Sequence, residues 1–263
     1  RRPPRSTLFP YTTLFRSKSD FYTIEINSIE QSLFKDASDG KFDRITLAEA
    51  SLIASDIFEF NKISLYFYKI DLIINDIKTS IDKQKKLSKS EIAEFVLKYL
   101  HTKILKEYNE DISDLNLALD KGIFNCVSSM ILYNLIMNDL GFETAGIKVP
   151  DHVFSVVKID NKWIDVETTF IRGFNPRNNE NALTELATLG LNCLPEDVKD
   201  RSALSELNII SIIYSNRAFN IAKEKNYPKS IVNLIKALAL SPDFLEIKEN
   251  IINLVDHKHL NYE

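Results

Sequence analysis

The 263-residue sequence predicts an α+β protein: a helical lead-in, a central cysteine-bearing helix packed on a small antiparallel sheet, and a C-terminal helical hairpin or repeat. Three observations predict it. Apolar residues recur at helical spacing over long stretches before Cys126. Short β-rich runs with a turn-forming pair between them follow. Helical periodicity then returns near the C-terminus. Ile, Leu and Lys dominate while glycine is limited to six, a composition that favours helices. A hydrophobic content of 44% suffices for a buried core in one or two domains.

Residues 1–17, "RRPPRSTLFPYTTLFRS", stand apart. They back-translate in one continuous frame into a common high-throughput sequencing adapter. The segment resembles a translated adapter and is excluded from fold reasoning. Taken as protein, it would read as a basic disordered arm or an Arg-rich targeting arm. The adapter reading places the native start upstream of Lys18, so a signal peptide stays open, with the cytoplasm as the default compartment.

Without that segment's four arginines, 29 basic residues stand against 37 acidic ones, a formal net charge of −8 in place of −4. An acidic, mixed-charge surface argues against nucleic-acid binding. No apolar run approaches the roughly 18 residues that cross a bilayer. The expected partner is a protein or peptide, as substrate or as binding partner. The two cysteines, Cys126 and Cys193, are too few for a disulfide scaffold.

Three helices are expected before Cys126. Thr46-Leu47-Ala48-Glu49 reads as a capping box opening a helix toward Phe58. Ile63, Tyr66, Phe67, Ile70, Ile73, Ile74, Ile77 and Ile81 keep helical spacing over several turns. Ser88-Lys89-Ser90-Glu91 is a second capping box, opening a helix whose apolar face is Ile92, Phe95, Val96 and Tyr99 and which is expected to reach about Tyr108. His101 on that helix reads as a packed or surface histidine rather than a ligand.

From Cys126 the pattern changes. Val127 to Leu140 is apolar on several sides, hence central, and Gly141 is a natural left-handed cap. Gly146–Val149, His152–Ile159 and Lys162–Thr168 read as strands, with Asp160-Asn161 as a two-residue hairpin turn. Residues 171–202 read as loop with one short helix. The tail is helical again, ending in a helix over Asp243–Val255. Tyr214, Ala218, Ser230, Leu234, Ala237 and Pro242 fall where a tetratricopeptide-type repeat needs them, while Arg217 and Ile221 depart from it. A plain helical hairpin is the alternative.

Chemistry concentrates in "GIFNCVSSMILYNLIMNDLGFETAGIKVPDHVFSVVKIDNKWIDVETTF". Asn125 is a good N-cap, which puts Cys126 in the first turn of a helix, where the backbone dipole favours a thiolate. His152 opens a strand 26 residues later and carboxylates follow on the next strand. Cysteine, histidine and acid in that order supply a nucleophile, a base and an orienting group for thiol acyl transfer.

Strand geometry chooses between the two candidate acids, Glu167 and Asp165. With Asp160-Asn161 as the turn, His152 lies opposite Thr169, Phe154 opposite Glu167, and Val156 opposite Asp165. Asp165 is then four positions from direct pairing with His152, about 13 Å along the strand. Glu167 is two positions away, a diagonal that a long side chain crosses. Glu167 is therefore the expected acid, with Asp165 the fallback if a bulge shifts the register.

Over Asp120–Phe170 the chain resembles the transglutaminase-like superfamily, whose papain-like core sets a cysteine at a helix start against an antiparallel sheet carrying histidine and acid. Trp163, Glu167 and Thr169 match its Trp-x-x-x-Asp-x-Thr motif with Glu in place of Asp. Phe124 stands where the superfamily often has glycine, and Gly122 lies two residues earlier. The helical lead-in and tail are similar to a bacterial family joining such a domain to tetratricopeptide repeats.

The resemblance implies an amide or ester hydrolase, a peptidase, or a transglutaminase-type acyltransferase, with Cys126, His152 and Glu167 catalytic and no cofactor. The rival reading is a non-catalytic interaction module whose helical repeat binds a peptide. Cys193 reads as a loop or core residue. His257 and His259 form an H-x-H without further ligands, so no metal is expected. The chain divides into the adapter-derived segment 1–17, a helical lead-in 18–110, a transglutaminase-like core 111–200 and a repeat-like tail 201–263.

Overall fold

The Ser88 capping box forms as the sequence predicts: Ser88 Oγ accepts from the Glu91 N–H at 3.3 Å, and a Glu91 carboxylate oxygen accepts from the Ser88 N–H at 2.7 Å. These and all following positions come from a computed structural model that describes residues 26–84, 86–176, 201–244 and 247–252. Residues 1–17, Cys193, His257 and His259 lie outside the described residues.

Two compact units divide the chain. Of the described residues, those between 47 and 205 form one; those up to 46 and from 206 onward form the other. This partition differs from the sequence-based one, since the helices of the lead-in beyond Thr46 belong with the sheet and the segment before them groups with the C-terminal helices.

Helix α1 (Ser28–Asp36) belongs to the second unit; the first begins with α2 (Leu47–Ala54), shorter than the expected run to Phe58 and buried nearly all round. A helix apolar on most sides belongs in a core. Next, α3 (Phe60–Asp82) buries Ile63, Tyr66, Ile70, Ile74 and Ile77, the stripe its spacing demands. The helix opened by Ser88, α4 (Lys89–Lys103), stops five residues short of Tyr108. The reason is a competing use of the backbone. The Lys106 and Glu107 N–H groups both donate to Gly122 O, and the two-residue strand β1 (Glu107–Tyr108) pairs in parallel with β2 (Ile123–Phe124).

A short helix that periodicity did not reveal, α5 (Leu115–Lys121), ends at Gly122, whose φ of 73° is left-handed. A Cβ there would lie 2.4 Å from Ile104 O, so both conformation and space require glycine. The chain then runs through β2 into α6 (Cys126–Asp139), which is buried on all sides.

The sheet comprises β3 (Thr144–Val149), β4 (His152–Ile159), β5 (Lys162–Val166) and β6 (Ser202–Leu204) in the order β5-β4-β3-β6, all antiparallel. Asp160 and Asn161 make the hairpin turn with φ of 48° and 63°. The register pairs Val156 with Asp165, as the turn requires. Strand β5 ends at Val166 rather than Thr168, and β6 starts at the last residue of the stretch that reads as loop and runs into one that reads as helical. Helix α6 packs on β3 so closely that a Cβ on Gly146 would come 2.8 Å from Met130 Sδ. The opposite pleat buries Ile147, Val149, Phe154 and Val156.

In the second unit, α1 (Ser28–Asp36) is capped by Asn27, and α7 (Glu206–Lys223) and α8 (Tyr227–Leu240) form a helical hairpin. Tyr214, Ala218, Ser230, Leu234 and Ala237 are all buried. The small residues let the helices approach, with Ser211 Oγ donating to Ala237 O and Ser230 Oγ to Ala218 O, each at 2.8 Å. Residues 247–252 are helical again. Glu30 of α1 is buried, and its carboxylate takes two 2.8 Å contacts from Lys236 Nζ and one, also 2.8 Å, from the Tyr214 hydroxyl. Among the described residues no helix is long and apolar enough to cross a membrane.

Candidate active site

Asn125 builds the Cys126 end of the site. Its Oδ1 accepts from the Val127 N–H at 2.9 Å and the Ser128 N–H at 3.2 Å, while Ser128 Oγ accepts from the Asn125 N–H at 3.0 Å. The same side chain donates to Ser113 Oγ and Glu110 O at 2.9 and 3.1 Å. The cap thus ties the start of α6 to the loop after β1. Cys126, the first residue of the helix, stays partly exposed.

His152 opens β4 after Asp151, whose φ of 57° turns the chain sharply. Its imidazole is buried, with Nε2 2.7 Å from Glu167 Oε2. Cys126 lies near enough to the same ring to act on its charge.

Glu167 lies just beyond β5. Its second oxygen accepts from the Thr169 N–H at 3.0 Å and the Thr169 hydroxyl at 2.6 Å, and its own N–H donates to Gly173 O at 2.8 Å. Gly173 is pressed so tightly on this turn that a Cβ would lie 1.9 Å from Glu167 O. Asp165, the alternative acid, faces elsewhere. It pairs with Arg201, Nη2 to Oδ1 at 2.6 Å, and that guanidinium lies 5.2 Å over the Phe154 ring.

Charge follows geometry. Burial alone would lower the His152 pKa, but the Glu167 carboxylate and the Cys126 side chain outweigh it and push it up to about 11. Burial likewise tends to raise Glu167, yet the neighbouring imidazole and the Thr169 donors hold it below the ordinary carboxylate range. The arrangement is a buried carboxylate–imidazole pair with a thiol on its far side.

Three further side chains surround the pair, and no sequence pattern announced their role. Thr168 shares a 3.0 Å hydrogen bond between its hydroxyl and Ser129 Oγ on α6. His101 on α4 donates from Nε2 to Thr168 O at 3.0 Å and sets its ring edge-on to Phe124, 5.6 Å between centroids. Tyr108 of β1, half-exposed, meets Phe124 from another side at 5.8 Å. Burial raises the Tyr108 pKa, and the charges of Cys126, Glu167 and Glu110 raise it further. Only Gly173 left a trace in the sequence, as a lone glycine in a polar loop.

Trp163 is exposed on the edge strand β5, with Lys158 Nζ 5.5 Å from its ring centroid. Among the described residues no group of three or more His, Cys, Asp or Glu side chains could hold a metal ion. Comparison with protein-family models, with curated proteins and with solved structures finds no match for this chain.

Proposed function

We propose that this protein is a thiol-dependent acyl-group enzyme of transglutaminase-like type, with Cys126 as nucleophile, His152 as general base and acid, and Glu167 as the orienting carboxylate. One observation carries the reading: a single buried imidazole lies 2.7 Å from the Glu167 carboxylate with the Cys126 side chain near enough to act on its charge. A helix start, a strand start and a turn beyond a second strand converge there, which packing alone has no need to arrange.

In the reaction, the Cys126 sulfur bonds to the carbonyl carbon of an amide or ester while its proton is held on His152. The Val127 and Ser128 N–H groups are held by Asn125 Oδ1, so an oxyanion turns to the Cys126 N–H. Collapse of the tetrahedral species breaks the C–N or C–O bond, and His152 returns the proton to the leaving amine or alcohol. Water then attacks the thioester, His152 again acting as base, and releases the acid and the free thiol. An amine in place of water gives transfer.

The test is the rate of alkylation by iodoacetamide, followed by peptide mass spectrometry. Cys126 should label faster than Cys193, and His152→Ala should slow Cys126 about tenfold or more while the protein stays folded. Equal labelling of both cysteines, indifferent to His152→Ala, would favour a non-catalytic interaction module instead.

A further inference from the structure

We infer that His101 is a positioning residue that sets the acid-bearing turn in register with the segment leading into the nucleophile. The inference rests on the Cys126–His152–Glu167 reading and adds to it a residue from outside the sheet and α6.

Its basis is that one side chain touches both halves of the site. The Nε2–H of His101 donates at 3.0 Å to the carbonyl of Thr168, the residue immediately after Glu167. The ring of His101 stands edge-on, 78° between planes, to Phe124, which is two residues before Cys126. A carbonyl only accepts, so the proton sits on Nε2, and burial lowers the His101 pKa against the opposing pull of that bond.

Strand pairing with β4 ends at Val166, so Glu167, Thr168 and Thr169 are beyond the ladder. Thr168 is fixed to α6 through its hydroxyl and to α4 through its carbonyl. The hydroxyl bond anchors a side chain; the His101 bond anchors the backbone. Backbone position decides whether Glu167 Oε2 meets His152, because Oε1 is already committed to Thr169 within the same turn. The early end of α4 at Lys103 leaves His101 in its last turn, close to the point where the chain turns to pair β1 with β2. Helix α4 therefore acts as a brace between acid and nucleophile rather than as a separate lead-in.

The test compares His101→Gln, which keeps an N–H donor at the ε position, with His101→Met, which has similar length and no donor. The readout is the iodoacetamide rate constant of Cys126 between pH 5 and 9 on the full chain, with thermal midpoints recorded alongside. His101→Met should slow labelling roughly three- to tenfold, the worth of one hydrogen bond, and labelling should begin to rise at a higher pH. His101→Gln should restore most of the rate and the original profile. A rate and profile unchanged in both variants, or slowed equally in both, would overturn the inference. If His101→Met does not fold, His101→Phe, which keeps the ring and lacks the donor, takes its place in the comparison. If labelling does not depend on His152 in the unaltered protein, the acyl-transfer reading fails and this inference with it. If it depends on His152 but not on the donor at position 101, only this inference falls.

Discussion

The carboxylate of Asp165 lies 2.6 Å from the Arg201 guanidinium, and this pairing separates the two acids of the second hairpin strand by role. Asp165 pairs with Val156 in the ladder, four residues along β4 from His152, while Glu167 has left the ladder and turned toward the imidazole. Strand rise makes the first distance too long for any carboxylate to span.

Glu167→Gln and Asp165→Asn should therefore behave differently. The first removes the charge that keeps His152 protonated and is expected to slow Cys126 alkylation by at least about tenfold, since one pKa unit is a tenfold change. The second should leave that rate within about twofold and cost about 1 kcal/mol of stability through the lost Arg201 contact. Alkylation kinetics beside urea melts separate the two effects.

Stability should depend on pH through the same pair. The His152 pKa is raised from 6.5 to about 11, so its contribution is full below 6.5 and is lost as pH climbs toward 11. The Glu167 pKa is lowered from 4.5, so its contribution is full above 4.5 and is lost as pH falls through the lower folded value. The stability advantage of the unaltered protein over His152→Gln should be greatest between pH 4.5 and 6.5 and shrink steadily on the alkaline side. Denaturant titrations at a series of pH values would show it; a gap that widens above pH 7 would contradict the assignment.

Gly173→Ala tests the turn from its other side. A Cβ placed 1.9 Å from Glu167 O forces the backbone apart. The expected cost is about 1–3 kcal/mol, typical of overpacking a closed site, together with slower Cys126 labelling because Glu167 is displaced. A thermal melt and the labelling assay measure both.

In the helical unit, Glu30→Leu should be costly, about 3–5 kcal/mol, because it leaves the Lys236 ammonium buried without its partner. Adding Lys236→Met should recover much of that loss. If the double variant is no more stable than the single, the contact is not the reason α1 packs on α7 and α8.

Local physics made much of this chain legible as sequence. The 3.6-residue period placed α3, the Ser88 box placed the start of α4, and Asn125 placed Cys126 at a helix start. The hairpin register followed from one turn, because Asp160 and Asn161 both adopt positive φ and a side-chain period of two leaves no freedom after that. Cys126, His152 and Glu167 could be named for the same reason: each sits where a short-range rule applies.

Long-range contacts were not legible. Tyr108 ends up in a strand rather than in α4, because Gly122 O, distant in sequence, takes the N–H groups that would have extended the helix. His101 reads as an ordinary helix residue until the fold brings Thr168 against it, 67 positions away. Glu30 looks like a surface charge until Lys236, 206 positions on, meets it in the interior. Periodicity, caps and turns act through neighbours within a few residues, so sequence alone determined α3, the start of α4, the hairpin and the order of Cys126, His152 and Glu167 along the chain. Which backbone groups are spent on pairing, which acid is neutralised by Arg201 and which helix braces the turn were decided only by tertiary structure, where desolvation makes each buried polar group find a partner regardless of its distance along the chain.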